Sequence, residues 1–205
     1  MSAQKRTYRM SRRAELEEET RLRITESTVA LHEELGPART TVSAIAERAG
    51  VRRSTVYRHF PDESALFTAC SAHWRAANPA PDPAAWAVVA DPASRTETAL
   101  TALYAYYART ESMYTSLFRD EPVNATVRHH LHGFHDYVLA IEGALVAGRG
   151  LRGRSARRTR AAIGHALGFP TWRSLTREQG LSDADAVRLM CRLVDAAAEP
   201  AASGH

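Results

Sequence analysis

The chain has 205 residues, 44% of them hydrophobic and 24% charged, and a formal net charge of +4. That is enough apolar chain for one large packed domain or a small one joined to a larger. No window approaches the ~18 consecutive apolar residues of a membrane span, and the N-terminus lacks a signal peptide's apolar stretch, so a cytoplasmic address and no membrane partner are expected.

Cys70 and Cys191 stand far apart without CxxC or Cys/His spacing, which argues against a disulfide framework or a structural zinc. Charge is uneven along the chain. Residues 1–60 carry twelve Lys/Arg against eight Glu, so the whole net charge sits there, and the remaining residues balance at fifteen of each sign. A basic N-terminal module on a neutral body suits a polyanion partner for the first part only.

From Glu17 to Leu35, apolar Leu22, Ile24, Val29, Leu31 and Leu35 recur with helical spacing, and Gly36-Pro37 ends this first helix; residues 1–15 are expected as a flexible basic arm. Thr41 is placed to cap a short second helix through Ala44-Ile45-Ala46, and Gly50 ends it where a left-handed residue is cheapest. A third helix runs from about Arg53 to Phe60, closed by Pro61. Two short helices about a glycine turn make a helix-turn-helix. Ile45, Ala49, Val51, Val56 and Phe60 supply its core, and small Ala46 permits close approach. The outward face then holds Arg52, Arg53, Ser54, Thr55, Tyr57, Arg58 and His59, all donors suited to phosphates or base edges.

The segment TTVSAIAERAGVRRSTVYRHFPDESALF, residues 40–67, resembles the DNA-binding signature of the tetracycline-repressor (TetR) family of transcriptional regulators almost throughout. The resemblance implies DNA contacts from Thr41, Ser43, Arg52, Arg53, Ser54, Thr55, Tyr57 and His59, with Tyr57 on a phosphate. One departure is Asp62-Glu63-Ser64, where many members carry a lysine that touches the DNA backbone. It also implies an all-α architecture: a helix-turn-helix domain over 1–62, then a helical effector-binding and dimerisation domain over 63–205.

In that second domain a connecting helix over 63–77 carries Leu66, Phe67, Cys70 and Trp74 as an apolar stripe that would tie the domains together. Asn78 to Pro92 reads as a linker with a short turn around Trp86. Helices follow near 94–110, 111–119, 123–149, 153–178 and 182–198, with a disordered tail over 199–205. The ring-rich stretch from Tyr104 to Phe118 and the stripe through Phe134 suggest a cavity for a small hydrophobic or aromatic effector, with Trp86, Tyr104, Tyr107, Met113, Phe118, His130, Phe134 and Trp172 as candidate lining residues. Ordinary core packing is the other reading of each.

His129, His132 and His135 share one helical ridge without carboxylate or cysteine partners nearby, so a solvated or pocket-rim role is expected over a metal site; neither metal nor cofactor is expected. Ala161, Ala162, Ala166, Leu167, Phe169, Trp172 and Leu175, with Val187, Leu189, Met190, Leu193 and Val194, read as an association surface. By the same resemblance the helices about 155–178 and 182–198 would form a four-helix bundle with a second copy. Pro170 is expected to kink the first of them without breaking it.

No nucleophile with a base and no strand-borne phosphate loop is visible, since Gly148-x-Gly150-x-x-Gly153 follows a helix; an enzyme is not expected. The sequence thus reads as a DNA-binding regulator, commonly a repressor, working as a homodimer on a palindromic double-stranded operator. The alternative is a regulator whose C-terminal domain makes protein contacts only, with no small effector.

Overall fold

The computed structural model describes the backbone of residues 2–199 and the side chains of residues 12–199; the tail expected over 199–205 lies, beyond Glu199, outside the described residues. All regular structure among the described residues is helical, as the sequence predicts. Two compact units are present, Met1–Pro79 with Thr115–His130, and Ala80–Tyr114 with Leu131–His205.

The first unit contains α1 (Ser2–Glu34), a 3-10 turn (Pro37–Arg39), α2 (Val42–Arg48), α3 (Arg53–His59) and α4 (Glu63–Ala77), plus the last residues of α6 (Pro92–Asp120) and the first of α7 (Ala125–Val146). Helix α1 begins at Ser2, well before Glu17, because its polar N-terminal turns carry no apolar stripe for periodicity to detect. Its end is set by Gly36, at φ +88, which turns the chain into Pro37 while its own N–H still donates to His32 O. The C-terminal end of α6 clasps this loop. Arg119 donates to Leu35 O at 2.7 Å and to Asp120 Oδ1 at 2.8 Å, while Asp120 Oδ2 accepts from the Ala38 N–H at 2.9 Å. Burial alone would raise the Asp120 pKa, but the bonds from Arg119 and Ala38 hold it below the ordinary value.

Ile24, Leu31, Val42, Ile45, Ala46, Val56, Phe60 and Leu66 form the core of this unit. The stripe on α4 packs into this unit: Trp74 Nε1 donates to Glu33 Oε1, and Phe67 lies between the rings of His32 (5.2 Å) on α1 and His130 (4.4 Å) on α7.

Burial pulls the His32 imidazole down to about 4, against a smaller opposing pull from Asp120. The unfolded chain therefore binds a proton at His32 that the folded chain refuses. Stability is unaffected above an unfolded value near 6.5, falls as pH drops, and is lower by about 3 kcal/mol once below the folded value. In urea titrations from pH 7 to 4, His32→Met should remove this part of the acid sensitivity; an unchanged pH slope would show that the residue is not held neutral.

The second unit contains α5 (Ala84–Ala87), most of α6 and α7, α8 (Gly153–Leu167), α9 (Phe169–Arg173), a π-helical turn (Ser174–Glu178) and α10 (Asp183–Ala198). Helix α6 is one helix, not the two expected over 94–110 and 111–119. The polar Thr110-Glu111-Ser112 step carries no breaker, and the Thr110 hydroxyl bonds back to Tyr106 O at 2.6 Å. Arg95, only 9% exposed, caps the C-terminal end of α7, donating to Ala144 O and Ala147 O at 3.0 Å each, and also to Val89 O and Ala90 O. A cation at a helix C-terminus meets both orphan carbonyls and the negative end of the dipole.

The kink expected at Pro170 is a break. Gly168 is extended (φ −69, ψ 130), so α8 ends at Leu167 and α9 starts at Phe169 with Pro170 in its first turn. Proline lacks the N–H that Ala166 O would have received, and the extended glycine withdraws the next donor from Leu167 O. Two phenols replace them: Tyr104 donates to Ala166 O at 2.9 Å and Tyr107 to Leu167 O at 2.7 Å.

Helices α8 and α10 pack on each other. Ala162, Ala166, Leu167, Phe169, Trp172, Val187, Met190 and Val194, read from sequence as an association surface, are buried inside this unit, whereas Leu189 (44%) and Leu193 (41%) remain exposed. Helical periodicity locates an apolar stripe but cannot say whether the same chain or a second one covers it.

Candidate nucleic-acid interface and aromatic cluster

Helix α3 is aimed by the turn before it. Thr41 caps α2 through a bond from the Ala44 N–H, and α2 ends in a Schellman motif: Gly50, at φ +66, donates to Glu47 O at 3.1 Å while Val51 donates to Ala46 O at 2.9 Å. Val51 then packs against the unit core. From this turn α3 buries Val56 and hands Phe60 to the core, where the Arg21 guanidinium covers the ring at 4.6 Å.

The opposite face is polar. Thr41, Ser43, Arg52, Arg53, Ser54 and Tyr57 are all exposed, with Arg58 beside them, and Thr55 is half-buried. His59 departs from its expected outward position. Its Nε2 is shut from solvent with no partner among the described residues, and its carbonyl accepts from Arg21. Burial first, then the charges of Arg58 and Arg21, lower its pKa. The i, i+4 neighbours of Phe60 and Val56 show the core face of α3 clearly in sequence, but the residue flanking that face could point either way.

Of the candidate effector-binding residues, Trp86, Tyr104, Tyr107, Met113 and Trp172 are buried and Phe134 half-buried in the second unit; Phe118 and His130 belong to the first. Tyr107 is the hub. Its ring lies 6.3 Å from Tyr104 and from Phe134, 5.9 Å from Trp172 and 5.4 Å from Phe169. Tyr106, Tyr114 and Phe169 complete the cluster, with Tyr114 4.7 Å from Phe134. Tyr114 stands seven residues after Tyr107, on the same helix face, a spacing from which it could have been included. The polar atoms are answered internally: Tyr106 and Tyr114 share a hydroxyl bond at 3.0 Å, and Trp172 Nε1 donates to Asp183 Oδ1 at 2.9 Å. Burial, with Tyr106 and its hydroxyl bond adding, raises the Tyr114 phenol far above its ordinary value.

His129 and His132 are exposed and His135 half-buried, and among the described residues no group of three or more His, Cys, Asp or Glu is placed to hold a metal ion. Among them too, no helix is long and apolar enough to cross a membrane.

Comparison with known proteins converges on the same region. The sequence profile of the bacterial regulatory proteins of the tetR family matches residues 24–70. No curated protein matches the sequence. Solved structures share the fold at low identity. A chain from Syntrophomonas wolfei str. Goettingen assigned to the TetR family is 14% identical, with 92% of this chain and 99% of that one covered and a TM-score of 0.62. A TetR-like transcriptional regulator from Rhodococcus sp. RHA1 is 15% identical (85% and 93% covered, TM-score 0.58). NalD, the secondary repressor of the MexAB-OprM multidrug efflux pump in Pseudomonas aeruginosa, is 18% identical (88% and 96% covered, TM-score 0.58). The matched profile covers α2, the glycine turn, α3 and the first half of α4, so residues 24–70 carry the signature of the tetR family of bacterial regulatory proteins, on an all-helical fold shared with solved TetR-like regulators.

Proposed function

We propose that the chain acts in the cytoplasm as a repressor that binds a palindromic operator as a homodimer and leaves it when a small apolar or aromatic effector binds. The observation that carries the DNA part is the exposed donor face of α3, Arg52, Arg53, Ser54 and Tyr57 with Arg58, on the module that holds the chain's entire charge surplus. Arg53 and Tyr57 suit phosphates, and Ser54 and Thr55 suit base edges; Thr41, Ser43 and Arg52 flank them. Dimer helix-turn-helix proteins read half-sites about one DNA turn apart, roughly 34–36 Å. Pairing through α8 and α10 would use the outward Leu189 and Leu193.

The effector part rests on the rings gathered around Tyr107, with Tyr104, Phe134 and Trp172 as the residues an apolar ligand would meet; Trp86 and Met113 lie in the same unit. Coupling of ~1–3 kcal/mol between sites already changes DNA affinity by about 5- to 150-fold. A second reading has its own support. Because the phenols and the Trp172 indole are already bonded within the chain, the cluster also suits a solid core, with regulation through protein contacts.

One set of titrations tests both parts. Duplexes selected from a random pool should bind two protomers each. Arg53→Ala should lower the salt slope by about one per protomer, and Tyr57→Phe should weaken all sequences alike. Equal binding by wild type and Arg53→Ala across salt removes the phosphate assignment. If every hydrophobic compound that raises the melting temperature leaves operator affinity unchanged, the effector reading gives way to the second.

A further inference from the structure

A cavity of about 60 Å³ opens inside the first unit, away from the aromatic cluster, lined by α1 (Thr28, His32), the loop after it (Pro37, Thr40), α2 (Val42, Ile45), α4 (Glu63, Leu66, Phe67) and the start of α7 (Asn124, Thr126). A water occupies roughly 10–15 Å³ on this measure, so there is room for about four heavy atoms.

The polar groups on its wall are mostly lone pairs. The Thr28 hydroxyl proton is committed to Ile24 O at 2.8 Å and the Thr40 proton to Gly36 O at 2.9 Å, leaving both oxygens as acceptors. His32 is only 6% exposed, and its Nδ1 lies 3.7 Å from Cys70 Sγ. That thiol also lies 3.2 Å from Phe67 O, so it is held between the imidazole and a backbone carbonyl. The ring itself lines the cavity. Glu63, exposed at the first turn of α4, adds a carboxylate at the rim. Asn124 Oδ1 already accepts from Thr126 N–H and Val127 N–H, leaving its amide donors as the minor contribution. The floor is apolar: Val42, Ile45, Leu66 and Phe67.

We propose that this cavity is a binding site for the end of a small primary ammonium ion. Its three N–H donors match the oxygens of Thr28 and Thr40 and the Glu63 carboxylate, beside the His32 ring, and its first methylenes lie on Leu66 and Phe67. An alcohol brings one donor to the same acceptors, and a carboxylate brings only repulsion. Occupation bridges α2 to α4 and the start of α7, so it stabilises the first unit.

The test uses the full chain with n-butylammonium chloride as probe and n-butanol, butyrate and tetramethylammonium at equal ionic strength as comparisons. Butylammonium is expected to shift the His32 ring-nitrogen resonances and raise the melting temperature, with a Kd in roughly the millimolar range for so few atoms. Glu63→Gln, on an exposed position that leaves the fold intact, should weaken binding about tenfold, and Thr40→Val should weaken it further. Three results each overturn the proposal: butanol or tetramethylammonium binding as tightly as butylammonium, His32 resonances that stay still while the melting temperature rises, or full affinity retained by Glu63→Gln.

Discussion

Arg95→Met should destabilise the second unit by about 4 kcal/mol, because one guanidinium satisfies four backbone carbonyls and methionine, of similar bulk, satisfies none. Ala144 O and Ala147 O close α7, while Val89 O and Ala90 O lie in the segment before α6. Each buried acceptor left without a donor costs about 1–3 kcal/mol, offset where water enters. The loss should be read by urea denaturation with hydrogen exchange at the last turn of α7, since two units can unfold separately. A change below about 1 kcal/mol would show that solvent replaces the guanidinium with little penalty, contrary to its burial.

Gly36→Val should destabilise the first unit by about 3–5 kcal/mol and abolish operator binding with it. At φ +88 a β-branched residue is strained by roughly 1–3 kcal/mol. A Cβ there would also stand 1.9 Å from an Arg119 nitrogen and 2.5 Å from Asp120 Oδ2. Both side chains can swing away, but only by releasing Leu35 O and the Ala38 N–H, which they hold in place. Gly133→Ala is the control, since it lies within α7, adopts no left-handed φ and meets nothing within 4 Å. It should be neutral or stabilising by up to about 1 kcal/mol. Thermal unfolding of the two variants side by side separates a general dislike of glycine replacement from the clasp at Gly36; equal melting temperatures would remove the clasp.

Both residues act through partners far away in the chain. The helix-turn-helix was legible because its signals are local: a capping Thr41, a left-handed Gly50, apolar Val56 and Phe60 at helical spacing. Gly36 ends the first helix as the sequence predicts, but Arg119 and Asp120, which hold the loop around it, are more than eighty residues away, and no spacing announces such a pair. Arg95 carries no local signal either, since two of its carbonyl partners, Ala144 and Ala147, stand about fifty residues on. The break after Leu167 goes beyond the expected kink because a single extended glycine, not Pro170 alone, ends the helix, and because the phenols that answer its carbonyls come from α6. In the aromatic cluster, sequence found the rings but not their hydroxyl partners, and those partners are what make the core reading compete with the effector reading.

The face of α3 is cationic through arginine alone. Arg52, Arg53 and Arg58 stand exposed there, and the only lysine in the chain is Lys5. A guanidinium keeps its proton up to a pKa above about 12 and has no amine for an acetyl group to neutralise. Neither a change of cellular pH nor acetyltransferase activity can therefore discharge this face. For the proposed phosphate contacts that leaves ionic strength and displacement of the helix itself, so geometry would be the lever for release.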